Sequence, residues 1–260
     1  MIPGGKVFII GAGPGAPDLI TVRGIEILRS ADLVIYAGSL VSAELIAQSP
    51  GEAEKIDSSG LHLEEIVTRM VAGVRRGWRV ARLHSGDPSV YGAIQEQIER
   101  LRAHQVPFEI VPGVSSVFAA AACLNTELTV PGVSQTVILT RTEGRSSPLP
   151  EGAALRELAR IPATLAIFLS AALAGRVVDE LRSGGLGDET PVAVVARVSW
   201  PDEITLWSTL GRLRADLRAA GIQRQALFLI GPALNAQAVA ATSRLYARDY
   251  THMFRRSDLS

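Results

Sequence analysis

Three observations predict an α/β protein made of two α/β domains with mostly parallel or mixed sheets. Short β-rich runs alternate with helical patterns over most of the chain, glycine- and serine-bearing loops follow the strands, and the rhythm changes once, around two Pro-Gly pairs. The 260 residues are 47% hydrophobic, enough for one large or two modest cores. The expected boundary lies near 112–124. Domains are placed at 1–115 and 120–245, with a polar tail at 246–260.

The first strand is "KVFII", followed by the amphipathic "TVRGIEILRSA", with Ile25 and Leu28 on one face, and by the buried strand "DLVIY". "LHLEEIVTRMVAGVRRG" is the clearest helix, with Gly77 just past its end. Then come the strand "WRVARL", a helix over "VYGAIQEQIERLRAH" and the strand "FEIV". Beyond a small-residue helix the strands are "TVILTR", "ATLAIFLS", "TPVAVVARVS", "EITLWSTL" and "ALFLIGP", with helices at about 171–182 and 209–220. Only a short turn precedes "EITLWSTL", which predicts an antiparallel pair.

The bulk numbers exclude several classes of function. Basic and acidic residues balance at 26 each, which removes the electrostatic footprint of a non-specific nucleic-acid binder. No run reaches the roughly 18 apolar residues of a membrane helix, and a soluble cytoplasmic protein is expected. A single cysteine, Cys123, cannot form an intramolecular disulfide and reads as a buried structural thiol. The four histidines lack metal-ligand spacing, so no metal is expected.

"KVFIIGAGPGAPDLITVRG" poses the central question. Gly11, Gly13 and Ala16 have the spacing of a relaxed dinucleotide turn, whose amides would cradle a pyrophosphate. Pro14 lacks an amide hydrogen inside that turn, Pro17 delays the helix to about Thr21, and no acidic residue ends the second strand. A nicotinamide site is therefore disfavoured. Three further loops, "YAGSLV", "RLHSGDPSVYG" and "VPGVSSV", follow strands of the same sheet. They should converge with the first at its carboxyl edge, where open α/β sheets bind ligands.

In order along the chain, "GAGPGAPDLITVRG", "YAGSLV", "LHSGDPSVYGAIQEQ", "PGVSS" and "SQTVILTR" resemble the motifs of the tetrapyrrole (corrin/porphyrin) methylases. These are two-domain methyltransferases of vitamin B12 and sirohaem synthesis that use S-adenosylmethionine. The resemblance spans residues 6 to about 235. It implies S-adenosylmethionine in the cleft between the domains, S-adenosylhomocysteine as product, and a homodimer. Two positions depart from the pattern: Ala16 replaces a frequent aspartate, and Leu169 a frequent methionine. Leucine keeps the apolar contact and loses the thioether.

Residue by residue, the resemblance carries cofactor contacts onto Pro14, Ser85, Gly86, Asp87, Val90, Ser115, Ser116, Phe168, Leu169, Ala196, Arg197 and Val198. An acceptor with acetate and propionate side chains calls for arginines, and Arg141 and Arg145 follow a second-domain strand. Asp87, Tyr91 and Ser39 are the candidates for handling a proton at the reacting ring, although Asp87 in Asp-Pro equally suits a turn cap. His84 reads as a hydrogen-bonded structural histidine, and Trp200 and Trp207 as core packing. The resemblance implies methylation of a corrin precursor at one ring carbon, C-11. The sequence leaves open whether the substrate already holds cobalt. Alternatives are another position on a tetrapyrrole, a protein or RNA acceptor, a nicotinamide oxidoreductase and a non-catalytic carrier.

Overall fold

The computed structural model describes residues 4–144 and 148–235, with 250, 251, 253, 255 and 256. The expected tail at 246–260 otherwise lies outside the described residues. Two compact units divide the chain. The first runs to Ala119 and also takes Arg197–Asp202, and the second holds Ala120–Ala196 and the chain from Glu203 onward.

The first unit contains β1 (Lys6–Gly11), α1 (Val22–Leu28), β2 (Leu33–Tyr36), α2 (Ala43–Ile46), β3 (Glu54–Asp57), α3 (Leu63–Arg75), β4 (Arg79–His84), α4 (Ile94–Ala103) and β5 (Phe108–Val111). The helix α5 (Ser116–Cys123) crosses the division between the units. The strands form one sheet in the order β3-β2-β4-β1-β5, and every pairing is parallel. Period-two alternation along β1 divides the core. Val7 and Ile9 pack with Met70 and Val74 of α3 and Leu101 of α4. Phe8 and Ile10 face the other way, with Leu28 of α1 and Leu45 of α2. Each such fully buried side chain contributes about 1.5–3 kcal/mol relative to exposure.

Three local expectations are corrected. The helix after β4 starts at Ile94, because Tyr91 and Ala93 hold φ of 57° and 48°, outside the right-handed helical region. The first helix ends at Leu28 with a cap at Arg29. The edge strand β3 was not foreseen, since "EKID" is polar and mostly exposed and lacks an apolar alternation.

In the second unit, β6 (Val137–Arg141), α6 (Leu155–Leu158), β7 (Thr164–Phe168), α7 (Ala174–Ser183), β8 (Pro191–Ala196), β9 (Ile204–Thr209), α8 (Leu213–Ala219) and β10 (Ala226–Ile230) follow in order. The sheet order is β6-β7-β10-β8-β9. β6 and β7 are parallel, β10 is antiparallel to both β7 and β8, and β9 is antiparallel to β8, as the short turn predicted. Ile167, Val192, Val194, Phe228 and Ile230 form the core with Val177 and Leu181 of α7 and Leu213 of α8. β6, β7 and β8 therefore end at the same edge, carrying Arg141, Phe168 and Ala196.

Candidate functional site

Because the first sheet is wholly parallel, the loops after β1, β2, β4 and β5 emerge at a single edge. They are held there by backbone packed on backbone. Gly13 and Gly86 form an antiparallel bridge, the Gly86 amide donating to the Gly13 carbonyl at 2.7 Å. A Cβ on Gly113 would lie 2.2 Å from the Gly86 oxygen, and one on Gly11 would lie 2.5 Å from the Gly113 Cα. The glycines thus serve close loop packing. The Ala12 and Gly13 amides donate to the His84 and Gly86 carbonyls, and the Ala16 amide to Ser199 Oγ. Three of the loop's amide donors are thus consumed internally, Pro14 has none, and α1 begins only at Val22, capped by Thr21. This is the physical reason the glycine loop is not a dinucleotide cradle.

Asp87 ties two of these loops together. Its Oδ1 accepts from the Ser89 amide and its Oδ2 from the Gly113 amide, each at 2.8 Å. The turn-capping reading is realised, with a second arm across to the loop after β5. Around it sit exposed Ser85, buried Gly86, half-buried Val90, buried Ser115 and half-buried Ser116. Ser39 is exposed on the loop after β2, and Tyr91 is 44% exposed in a left-handed conformation.

The segment Arg197–Asp202 packs on the glycine loop. Trp200 Nε1 donates to the Pro14 carbonyl at 3.0 Å, and a Cβ on Gly15 would lie 2.3 Å from the indole Cδ1. The Arg197 guanidinium lies 4.6 Å from the Trp200 ring centroid and pairs with Asp202 at 2.6 Å. Arg197 and Ser199 hold φ of 51° and 64°, unusual for residues with side chains. Pro14, Arg197 and Val198 therefore share one unit with the serine loops, though residues 197 and 198 lie far along the chain. Trp200 was expected in the core and instead braces this loop.

His84 ends β4, 5% exposed, with no hydrogen-bond partner at Nε2. Burial, with the neighbouring Arg82 charge, pulls its pKa down to about 3, so it is neutral near pH 7. The expected hydrogen bond is missing at that atom. Arg82, Ser58 and Gln97 beside it were not singled out in the sequence. An arginine amid the apolar residues of a strand run was the available sign.

At the edge of the second sheet, Arg141 pairs in register with Phe168. The Thr142 amide donates to Ser170 Oγ at 2.9 Å, and that hydroxyl donates to the Phe168 carbonyl at 2.7 Å. Between them Leu169 is held at φ 54° and 72% exposed. Ala196 is buried at the end of β8. Arg145 lies outside the described residues. Two expectations fail here. Trp207 is 51% exposed on β9, because alternation along that strand turns it outward. Cys123 is only partly buried, in contact with Glu203 Oε1 at 2.8 Å, and burial and that carboxylate raise its pKa.

Residues 6–214 match the family described as Tetrapyrrole (Corrin/Porphyrin) Methylases. The chain is 48% identical over 252 residues to the cobalt-precorrin-4 C(11)-methyltransferase of Methanocaldococcus jannaschii, covering 97% of this chain and 96% of that protein. It is 47% identical to the precorrin-4 C(11)-methyltransferase of Pseudomonas aeruginosa, covering 96% and 98%. The X-ray structure of a cobalamin biosynthetic enzyme, cobalt precorrin-4 methyltransferase, superposes with a TM-score of 0.86 at 50% identity, covering 88% of this chain and 96% of that one. Uroporphyrin-III C-methyl transferase from Thermus thermophilus, complexed with S-adenosylhomocysteine, gives 0.74 at 30% identity, covering 89% and 94%.

Proposed function

Since the chain belongs to the tetrapyrrole methylases, we propose that it transfers a methyl group from S-adenosylmethionine to C-11 of precorrin-4, giving precorrin-5 on the route to cobalamin. The observation that carries this reading is near-full-length identity of 47–48% to relatives with that named activity. Relatives named for the cobalt-bearing and the metal-free substrate are equally similar, so cobalt-precorrin-4 is the second acceptor to test.

The cofactor supplies a methyl group on a sulfonium, and the departing bond pair stays on sulfur. The residues of the first edge fit such a ligand. Ser85, Ser115 and Ser116 offer hydroxyls for an amino-acid carboxylate, Val90 offers apolar contact, and the loops contain no cysteine that a sulfonium would alkylate. We assign cofactor contact to these residues with Pro14, Gly86 and the main chain at Arg197 and Val198. Because the acceptor is an electron-rich ring carbon, no covalent intermediate on the protein is needed. The chain's tasks are to hold the reactants in line and to exclude water. Tyr91 and Ser39 are assigned to the acceptor, and Asp87, occupied by two amides, to positioning their loop. Arg141, at the end of β6, is assigned to the acceptor's carboxylates.

In this reading the protein is cytoplasmic, acts on no nucleic acid and works as a homodimer. No described helix is long and apolar enough to cross a membrane. Exposed Trp207 on the edge strand β9 offers apolar surface for a second copy.

The test is mass spectrometry of the macrocycle after incubation with methyl-labelled S-adenosylmethionine, using precorrin-4 and cobalt-precorrin-4 in parallel. One label at C-11 is expected. Absence of label from both acceptors overturns the assignment.

A further inference from the structure

One buried charge in the first unit has no part in the chemistry above. Arg82, within β4, is 5% exposed, and burial pulls its pKa down to about 10. Its hydrogen-bond partners are neutral: Nε donates to Gln97 Oε1 at 3.3 Å and Nη1 donates to Ser58 Oγ at 2.8 Å. Burying a guanidinium without a carboxylate is costly, and an apolar side chain would fill a strand position at less cost. Stability does not explain it.

The partners do not end the network. Ser58 Oγ donates to the Tyr36 carbonyl at 2.8 Å, and Gln97 Nε2 donates to the Ala93 carbonyl at 3.2 Å. Tyr36 is the last residue of β2 and opens the loop that carries Ser39. Ala93 closes the loop that carries Tyr91, and both of those residues have positive φ. Such conformations persist only where the surroundings over-determine them. Two arms from one side chain therefore reach the main chain of two neighbouring loops. A guanidinium suits this task because its donors form a rigid fork, whereas an ammonium is a single point.

We propose that Arg82 is a positioning residue that fixes the Ser39 and Tyr91 loops relative to each other for the tetrapyrrole acceptor. This rests on the assignment of those two loops to the acceptor.

The test compares Arg82→Met, Arg82→Lys and Gln97→Leu with the wild type. KM for the acceptor is expected to rise about ten-fold in each, while the Kd for S-adenosylhomocysteine changes less than about two-fold. Lysine is expected not to rescue, since it cannot serve both arms. Equal loss of both ligands in step with a lowered Tm means a merely structural role, and wild-type KM in a folded variant also overturns the proposal. Should Arg82→Met not fold, Gln97→Leu decides, because it removes one arm and leaves the charge in place. Hydrogen exchange at 37–41 and 91–94 reads the relay whatever the acceptor is. Faster exchange confined to these two loops supports the relay even if the methylation assignment fails, and unchanged exchange, or faster exchange throughout the chain, rejects it.

Discussion

Gly15 can carry no side chain because the Trp200 indole occupies the space, and that one contact joins residues far apart in the sequence. Replacing Trp200 by phenylalanine keeps an aromatic ring beside Gly15 but removes the donation to Pro14 together with part of the ring contact. At about 1 kcal/mol for one hydrogen bond, S-adenosylhomocysteine should bind about five-fold more weakly to this variant. Alanine removes both contacts and should weaken binding at least about ten-fold. Calorimetric titration decides, and wild-type affinity in the alanine variant would overturn the cofactor contact proposed for the Pro14 loop. His84 makes a prediction of a different kind. Its folded pKa, about 3, lies below the ordinary 6.5, so the unfolded chain binds a proton more readily. The stability it contributes is full above pH 6.5 and is lost as pH falls towards 3. Between pH 7 and 4.5 this amounts to about 2–3 kcal/mol. In His84→Leu that part of the acid loss should vanish from urea-unfolding curves. A loss as steep as the wild type's would show that other groups carry it.

At the scale of elements, the carboxyl edge of the first sheet is built by loops rather than by helices. Gly11, Gly86 and Gly113 let three loops touch main chain to main chain. A methyl on Gly113 would meet a carbonyl oxygen and a Cα, neither of which can swing aside. Gly113→Ala should therefore cost about 3 kcal/mol or more, seen as a lower urea midpoint. An unchanged midpoint would mean the loops separate easily. The same edge explains where helix periodicity misled. "VYGAIQEQ" has helical composition, but Tyr91 and Ala93 are held left-handed, and the helix waits until Ile94. β3 was invisible for the opposite reason. It is a short polar edge strand, ordered by backbone pairing with β2 and by Ile56 alone against the core.

Over the whole molecule, the strand-helix alternation was legible because buried parallel strands are short apolar runs, and these stand out between polar turns. The convergence of four loops at one edge followed from parallel strands alone. The motifs were legible because each loop's glycines and serines lie together in sequence. What could not be read was contact between segments with no sequence pattern in common. Nothing in "VSWPDE" says that Trp200 seals Gly15 or that Ser199 takes the Ala16 amide. Nothing in "RVARLH" says that Arg82 reaches Ser58 and Gln97. Asp87 shows the division at a single residue. Asp-Pro announced a cap, since that bond spans two positions, but the bond to Gly113 spans 26 and needed the fold. By itself the sequence determined the α/β class, the convergence of four loops at one sheet edge and the exclusion of a pyrophosphate cradle. Those depend on local periodicity, on close-packed motifs and on proline's missing donor. Only the tertiary structure decided which polar groups meet, because a hydrogen bond between distant residues depends on where packing carries them.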